Sequence, residues 1–364
     1  MSTTTQQQVI VNRSNIHETQ VETVAAPDGD SLKAGELILQ VEKFGFSANN
    51  ITYAVVGERV RYWEFFPAKA GWGIVPVWGF AKVVHSNAEN VAVGDRFYGY
   101  LPMAEYLKVQ VGRLNPTGFS DGSPHRAELA PVYNFYVKAD LESGFSGASE
   151  AVQMIFRPLF TTSFLLDIFL NWNQQFGATQ IVLTSASSKT AFALAALLSA
   201  RQKNKVKVVG LTSTRNLEFV QNMGFYDEVY AYDNVDELNV EPTTIVDFGG
   251  NLDLLKGIAS QMGDHMKYTC MVGMVDWENW GDPASNGIKG KFFFAPGFIR
   301  EVSKEWGMEK FQINLAKAWA EFQPHAEKIL EIEPMDGLEK ARDLYLEMID
   351  GHSSAKKGFT ILLE

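Results

Sequence analysis

The sequence is poor in the residues that form metal centres and disulfides. Its 364 residues include one cysteine, Cys270, and six histidines. One cysteine cannot form a disulfide within the chain, which is typical of proteins from a reducing cytoplasm. Zinc sites need clustered Cys and His ligands, and His85 and His125 are isolated in the sequence. We therefore expect no metal. We also expect Cys270, within the apolar run YTCMVGMV, to be buried and inert rather than a catalytic thiol.

Two further shortages narrow the classes of partner. Lys and Arg number 32 against 43 Asp and Glu, a formal net charge of −11. Nucleic acids and anionic membranes require a basic face, so neither is expected as a partner. The start, MSTTTQQQVI, lacks the basic and apolar regions of a signal peptide. No apolar run approaches the roughly 20 residues of a membrane helix. The sequence predicts a cytoplasmic protein with a small-molecule substrate.

The hydrophobic pattern divides the chain into two kinds of region. From about Val9 to Val111, short alternating runs are separated by Gly, Asn and Pro, which is typical of an antiparallel barrel. From about Ala151 to Gln323, strand-like and helix-like runs alternate, which predicts a doubly wound parallel sheet. The predicted strands are QIVLTS, VKVVGLTS, DEVYAYD, TTIVDFG, YTCMVGMV and KFFFAP. The closing run GFTILLE is predicted to return to the first region.

This order of elements resembles the medium-chain dehydrogenase/reductase superfamily, in its zinc-free quinone and enoyl reductase branch. LKAGELILQVEKFGFSANN resembles its opening strand and substrate loop, and VAVGDRFYGYLPMAEYLKV its Gly-Asp-Arg turn. RPLFTTSFLL and FFFAP are similar to the narrower DUF2855 family. The resemblance implies an α/β protein. A GroES-like barrel domain would span 1–155, with residues 326–364 returning to it, and a Rossmann-like domain 156–325.

The turn that should hold a dinucleotide contains no glycine. In IVLTSASSKTAFALAALLSA, the superfamily's three Gly or Ala places fall on Ser185, Ser188 and Ala191, which are all small. Close approach of a pyrophosphate is therefore weakened but kept, and the helix N-terminus still attracts anions. The alternative is an ordinary capped turn. The residues predicted to contact the pyrophosphate are Ser185, Ser187, Ser188, Lys189 and Thr190.

The end of the second predicted Rossmann strand indicates which cofactor binds. NAD-binding proteins carry an acid about 20 residues beyond the turn, but this chain has Ser213, Thr214 and Arg215. Hydroxyls and a guanidinium suit a 2′-phosphate, so NADPH is predicted in preference to NADH. A helix cap with a surface arginine is the alternative. The resemblance also implies cofactor contacts at Gly249, Gly273 and Pro296, in loops near Trp277 and Trp280.

Candidates for the chemistry come from two segments. In FGFSANNITYAVVG, Ser47 and Asn50 take the places of the branch's Asn-x-x-Asp pattern. Asn50 would orient the nicotinamide ribose or the substrate, and the resemblance implies a tyrosine proton donor, either Tyr53 or Tyr62. A turn Asn and core tyrosines are the alternatives.

The second segment, HRAELAPVYNFYVKAD, has several polar side chains near the start of the Rossmann region. They are His125, Arg126, Tyr133, Asn134 and Tyr136. We predict an active-site segment in which Tyr133 takes part in catalysis. An anchored linker is the alternative.

Three functions remain open at this point. The first is metal-free, NADPH-dependent reduction of an activated C=C bond in an enone, quinone or enoyl thioester. The second is carbonyl reduction on the same scaffold, and the third is a non-catalytic NADPH-binding sensor or partner protein. A homodimer is expected, because the apolar strands YTCMVGMV and KFFFAP form a sheet edge that invites pairing.

Overall fold

The computed structural model describes residues 4–140, 150–201, 205–272, 290–351 and 354–363. The chain divides into two compact units. Unit 1 comprises Met1–Ile155 and Leu330–Glu364, and unit 2 comprises Phe156–Ile329. Among the described residues, unit 1 contains a three-stranded and an eight-stranded sheet, and unit 2 contains a six-stranded sheet.

The secondary structure of the described residues is listed here in chain order. The strands are β1 (Thr5–Asn12), β2 (Asn15–Ala25), β3 (Glu36–Phe46), β4 (Trp72–Gly73), β5 (Pro76–Ser86), β6 (Arg96–Pro102), β7 (Tyr106–Asn115), β8 (Gly118–Asp121), β9 (Phe135–Lys138), β10 (Gln180–Leu183), β11 (Lys207–Thr212), β12 (Glu228–Ala231), β13 (Thr243–Asp247), β14 (Met266–Met271), β15 (Gly290–Phe292), β16 (Glu331–Asp336) and β17 (Lys357–Leu362). The α-helices are α1 (Ala48–Val55), α2 (Glu150–Trp172), α3 (Lys189–Ser199), α4 (Leu217–Asn222), α5 (Leu252–Met262), α6 (Ala295–Trp306), α7 (Met308–Ile329) and α8 (Gly337–Ile349).

Unit 1 is built around a closed antiparallel barrel. Its strand order is β3-β5-β6-β9-β8-β7, and β7 pairs back to β3. When a sheet of short antiparallel strands closes into a barrel, its first and last strands pair with each other, so the barrel has no unpaired edge. The last strand, β17, pairs antiparallel with β3, so the closing run does return to the first region.

Unit 2 is a six-stranded parallel sheet with the order β12-β11-β10-β13-β14-β15. The chain leaves β10 first to one side and later to the other, so the strand order reverses between β10 and β13. In such sheets, ligands bind outside the carboxyl ends of the strands at this switch point. The predicted fold class, a GroES-like barrel with a Rossmann-like sheet, is confirmed.

Strand burial explains why the parallel strands were readable from sequence. All four residues of β10 are buried, as expected of strands covered on both faces. Val182, Val209 and Ile245 from three neighbouring strands pack against Leu255 and Ile258 of α5. Burying each such side chain stabilises the fold by about 1.5–3 kcal/mol.

The expectation that no apolar run approaches membrane-spanning length needs correction. Helix α2 has 23 residues and is long and apolar enough to cross a membrane by length and composition. However, 67% of its most apolar window is buried inside the protein, as in the core helices of many folds. The sequence analysis overlooked the run because the polar residues Arg157 and Asp167 interrupt it.

Candidate functional site

The glycine-free turn after β10 adopts a backbone conformation that normally favours glycine. Ser185 has φ of 46°, in the left-handed region. A non-glycine residue there costs about 1 kcal/mol or more, and surrounding contacts must offset this cost. The Ser185 N–H donates to the Tyr232 hydroxyl at 2.9 Å, and the two hydroxyls lie 3.3 Å apart. Serine thus occupies a glycine position with the support of a tyrosine from beyond β12.

Two further side chains hold the same turn. The Tyr226 hydroxyl donates to the Ala186 carbonyl at 2.8 Å, and the Asn216 amide donates to the Ser187 hydroxyl at 3.1 Å. The turn is therefore fixed against α4 and the segments that flank it. Tyr226 and Tyr232 were not singled out from the sequence. Their positions at the two ends of the third Rossmann strand, β12, were the available signal.

The start of α3 combines capping with a buried charge. The Ser188 hydroxyl accepts from the Ala191 N–H at 3.3 Å, so Ser188 is the N-cap of the helix. Lys189 follows, half-buried, and burial lowers the pKa of its ammonium to about 8. The Thr190 carbonyl accepts from the Ser163 hydroxyl of α2 at 2.8 Å. The capped-turn reading holds for Ser188, and its cofactor role stays a prediction.

The end of β11 presents polar groups that lack partners. The hydroxyls of Thr212 and Ser213 are buried and without a hydrogen-bond partner among the described residues. Thr214 is exposed, and its hydroxyl donates to the Asp233 carboxylate at 3.2 Å. Arg215 is exposed and forms no ion pair with any described residue. These groups suit a ligand that brings acceptors and negative charge.

At the end of β13, the buried carboxylate of Asp247 shapes the loop opposite the turn. Asp247 accepts from the Thr184 hydroxyl at 2.5 Å and from the Gly250 N–H at 2.9 Å. Burial raises the pKa of Asp247, while these hydrogen bonds oppose the rise. A side-chain carbon added at Gly249 would lie 3.0 Å from the Ser185 hydroxyl oxygen. The structure therefore brings the predicted residues Gly249 and Ser185 together.

The remaining residues predicted to contact the cofactor lie in several parts of the chain. Pro296 lies in the first turn of α6. Gly273, Trp277 and Trp280 lie outside the described residues. Cys270 is buried as expected, and burial raises the pKa of its thiol. That this thiol takes no part in chemistry stays a prediction. The described ranges hold no group of three or more His, Cys, Asp or Glu side chains placed to bind a metal ion.

Three of the four predicted catalytic residues meet in unit 1. We call the group Tyr53, Tyr62, Trp78, Tyr100 and Tyr133 the tyrosine cluster. The Tyr62 and Tyr133 hydroxyls lie 3.0 Å apart, and the Trp78 indole N–H donates to the Tyr53 hydroxyl at 3.0 Å. The rings of Tyr53 and Tyr62 are 4.7 Å apart, and those of Tyr100 and Tyr133 are 4.6 Å apart. The sequence analysis did not identify Trp78 and Tyr100, which come from β5 and β6.

Burial sets the protonation of the tyrosine cluster. It raises the pKa of Tyr53, Tyr62, Tyr100 and Tyr133 above the ordinary value. The hydrogen bond between Tyr133 and Tyr62 opposes the rise at Tyr62 and adds to it at Tyr133. Tyr133 is therefore the donor when Tyr62 ionises. The raised pKa values keep these hydroxyls protonated at neutral pH, and at 3.0 Å either hydroxyl of the Tyr62–Tyr133 pair can donate to the other.

Asn50 has a structural task in the fold. Its side-chain carbonyl accepts from the Ser47 N–H at 2.9 Å, and its amide donates to the Pro76 carbonyl at 3.0 Å. These bonds cap α1 and tie it to β5. A role towards cofactor or substrate stays a prediction for this residue.

The HRAELAPVYNFYVKAD segment is anchored by a buried arginine. Arg126 is 1% exposed and pairs with Asp121 at 3.2 Å. It also donates to the Tyr136 hydroxyl at 3.3 Å, and its guanidinium lies 4.7 Å from the centre of the Phe66 ring. Asn134 donates to the Arg126 carbonyl at 3.3 Å. These contacts give the segment a structural anchor, while Tyr133 alone joins the tyrosine cluster.

Comparison with solved structures identifies the class of fold. The chain is similar to CurA from Vibrio vulnificus in complex with NADPH, with 12% identity, coverage of 98% of this chain and 99% of that one, and a TM-score of 0.60. The yhdH oxidoreductase from Salmonella enterica in complex with NADP is 12% identical, with coverage of 98% of this chain and 100% of that one and a TM-score of 0.56. The quinone oxidoreductase from Coxiella burnetii is 11% identical, with coverage of 99% of this chain and 100% of that one and a TM-score of 0.57. What the chain shares with these structures is the fold, an antiparallel barrel together with a Rossmann-like parallel sheet.

The narrower relationship comes from the sequence itself. The family model described as "Protein of unknown function (DUF2855)" matches residues 44–354. The chain therefore belongs to the DUF2855 family. A search of curated protein sequences gave no match.

Proposed function

We propose that this protein is a metal-free, NADPH-dependent reductase of an activated C=C bond in an enone, quinone or enoyl thioester. The observation that carries the cofactor assignment is the set of unsatisfied groups at the end of β11. A buried hydroxyl without a partner costs about 1–3 kcal/mol. Among the described residues, the Thr212 and Ser213 hydroxyls have no hydrogen-bond partner and Arg215 beside them has no ion pair. A ribose that bears a 2′-phosphate supplies both acceptors and charge.

The pyrophosphate would be held at the start of α3. The helix N-terminus presents a positive dipole end, and Lys189 adds a cation. Ser187 and Thr190 are the hydroxyl-bearing neighbours. CurA and yhdH, whose structures contain NADPH and NADP, share this fold and support the assignment.

The chemistry divides between cofactor and chain. When bound, reduced nicotinamide supplies a hydride to the β-carbon of the C=C bond. The α-carbon then needs a proton, and Tyr62 is assigned as its donor. The resulting Tyr62 phenolate accepts a hydrogen bond from the Tyr133 hydroxyl, 3.0 Å away, until solvent returns the proton. The raised pKa of Tyr62 keeps the donor protonated at neutral pH.

A non-catalytic NADPH-binding protein is the second candidate. The observation that favours it is the Ser185 N–H, which already donates to Tyr232. In this case the turn binds cofactor without the preorganisation of a glycine-rich loop, and the tyrosine cluster is only core.

Titration of the purified protein with NADPH and NADH tests the shared premise. We expect tighter binding of NADPH, followed by NADPH consumption with members of an enone, quinone and enoyl-thioester panel. Product analysis separates C=C from C=O reduction. No binding of either cofactor at millimolar concentration contradicts the proposal, and binding without turnover on any panel member supports the second candidate.

Assembly and location belong to the same proposal. We propose a cytoplasmic homodimer that pairs along the β15 edge of the parallel sheet. β15 pairs with β14 on one side only in the described part of the sheet. Light scattering that shows only monomer at micromolar concentration contradicts the dimer.

A further inference from the structure

The third Rossmann strand delivers a carboxylate to the loop assigned to the 2′-phosphate. β11 and β12 are parallel neighbours, and Thr212 lies opposite Ala231 in their register. The residues that follow the two strands therefore leave the sheet at the same level. There, Asp233 accepts a hydrogen bond from the Thr214 hydroxyl at 3.2 Å.

Asp233 and Arg215 are both exposed, and neither forms an ion pair among the described residues. Two neighbouring loops, one after β11 and one after β12, thus present a cation and an anion that no described residue pairs with. The second strand is followed by Ser213, Thr214 and Arg215, with no acid among them. The structure supplies an acid from the next strand, about 20 residues further along the chain.

We propose that Asp233 sets the cofactor preference of this protein. Its carboxylate opposes a 2′-phosphate and accepts a hydrogen bond from a free ribose 2′-hydroxyl. It therefore limits the preference for NADPH that Arg215 creates. This inference rests on the proposed cofactor site. Tyr232, the preceding residue, supports the placement because its hydroxyl bonds to the pyrophosphate turn at Ser185.

The size of the effect follows from charge alone. Repulsion between two unit charges about 6 Å apart weakens a binding constant by about threefold in water. Where solvent is partly excluded, the same repulsion weakens it by about tenfold. Salt reduces the effect, since the groups are exposed.

The test is Asp233→Asn, which removes the charge and keeps an oxygen that can accept from Thr214. We expect NADPH affinity to rise about threefold to tenfold at low salt, and less at 0.5 M salt. NADH affinity should stay the same or fall. Asp236→Asn is the matched control, since Asp236 is exposed in the same segment and forms no hydrogen bond or ion pair with the Thr214 loop among the described residues. It should leave the ratio of the two affinities unchanged.

The outcomes separate this inference from the proposed function. If the wild type binds NADPH and Asp233→Asn leaves the ratio within twofold, Asp233 is not a specificity determinant and the proposed function stands. An equal gain from Asp236→Asn also overturns the inference, because it shows a general charge effect. If the wild type binds neither cofactor, the proposed function itself fails. Melting temperatures of both variants should match the wild type.

Discussion

The glycine-free turn and the tyrosine cluster place polar groups in different surroundings. In the turn, side chains from other segments bind backbone atoms and small hydroxyls. For example, the Tyr232 hydroxyl accepts a hydrogen bond from the Ser185 N–H. In the tyrosine cluster, phenol hydroxyls lie among other aromatic rings and bond to each other, as do Tyr62 and Tyr133. The contacts in the turn hold its backbone in one conformation, whereas burial in the tyrosine cluster keeps the phenol hydroxyls protonated. We therefore expect changes in the turn to alter binding, and changes in the tyrosine cluster to alter turnover.

Tyr62→Phe should have the largest effect. Loss of a general acid lowers turnover by about 100-fold or more, while NADPH affinity stays the same because the cofactor groups lie in unit 2. Steady-state kinetics and cofactor titration measure both quantities. Tyr106→Phe, outside the tyrosine cluster, is the control. A loss of cofactor affinity equal to the loss of turnover would remove the distinction between the two regions.

The same tyrosine sets the alkaline limit of the reaction. Tyr62 acts in its protonated form, so activity is present below its pKa and lost as pH rises through it. Because burial raises this pKa above its ordinary value near 10, we expect no alkaline loss from Tyr62 below about pH 10.

Arg215→Ala should have the next largest effect, and on binding. Loss of a charge-assisted bond to the 2′-phosphate costs about 1.5–3 kcal/mol, which weakens NADPH binding about tenfold to 100-fold. NADH affinity should barely change. Equal losses for both cofactors contradict the 2′-phosphate assignment.

Ser188 tests whether residue size in the turn matters. Ser188→Val adds bulk and should weaken NADPH binding by about tenfold or more, and it removes the cap of α3 at a cost of about 1 kcal/mol. Ser188→Gly should cost only a few tenths of a kcal/mol and bind at least as well as the wild type. Calorimetry and thermal melts measure both. Normal NADPH binding by Ser188→Val shows that the turn is not the pyrophosphate site.

Lys189 should give the smallest effect and a pH signature. Its pKa in the folded protein is about 8, so the charged form that attracts phosphate is lost as pH rises through this value. We expect NADPH affinity to fall by about threefold to fivefold from pH 7 to 9, the scale of one partly screened charge. Lys189→Ala should remove this dependence. An unchanged pH profile in the variant assigns Lys189 no part in binding.

The ionisation of Lys189 also affects folding stability, which it changes with pH in the direction opposite to NADPH affinity. The folded-state pKa of Lys189 is depressed, so the unfolded chain binds more protons between about pH 8 and its ordinary value. This group alone therefore makes stability rise with pH over that window.

The elements that the sequence determined are those set by local pattern. Apolar runs bounded by turns gave the strands of unit 2, because strands covered on both faces read as continuous hydrophobic segments. Alternating runs gave the barrel, and Ser188 was foreseen as a possible cap because serine favours that position. The ends of the apolar runs also located the loops that follow the strands, and these loops contain Ser185 and Arg215.

Only the tertiary structure decided which distant groups meet. Tyr62 and Tyr133 are 71 residues apart in the sequence, yet the fold of unit 1 brings their hydroxyls to 3.0 Å from each other. Asp233 reaches Thr214 because two parallel strands end at the same level, which sequence distance does not reveal. Local periodicity encodes which face of an element is buried, but the pairing of side chains across elements depends on register and packing. The protonation of the tyrosine cluster and the charge balance at the cofactor loop follow from that packing.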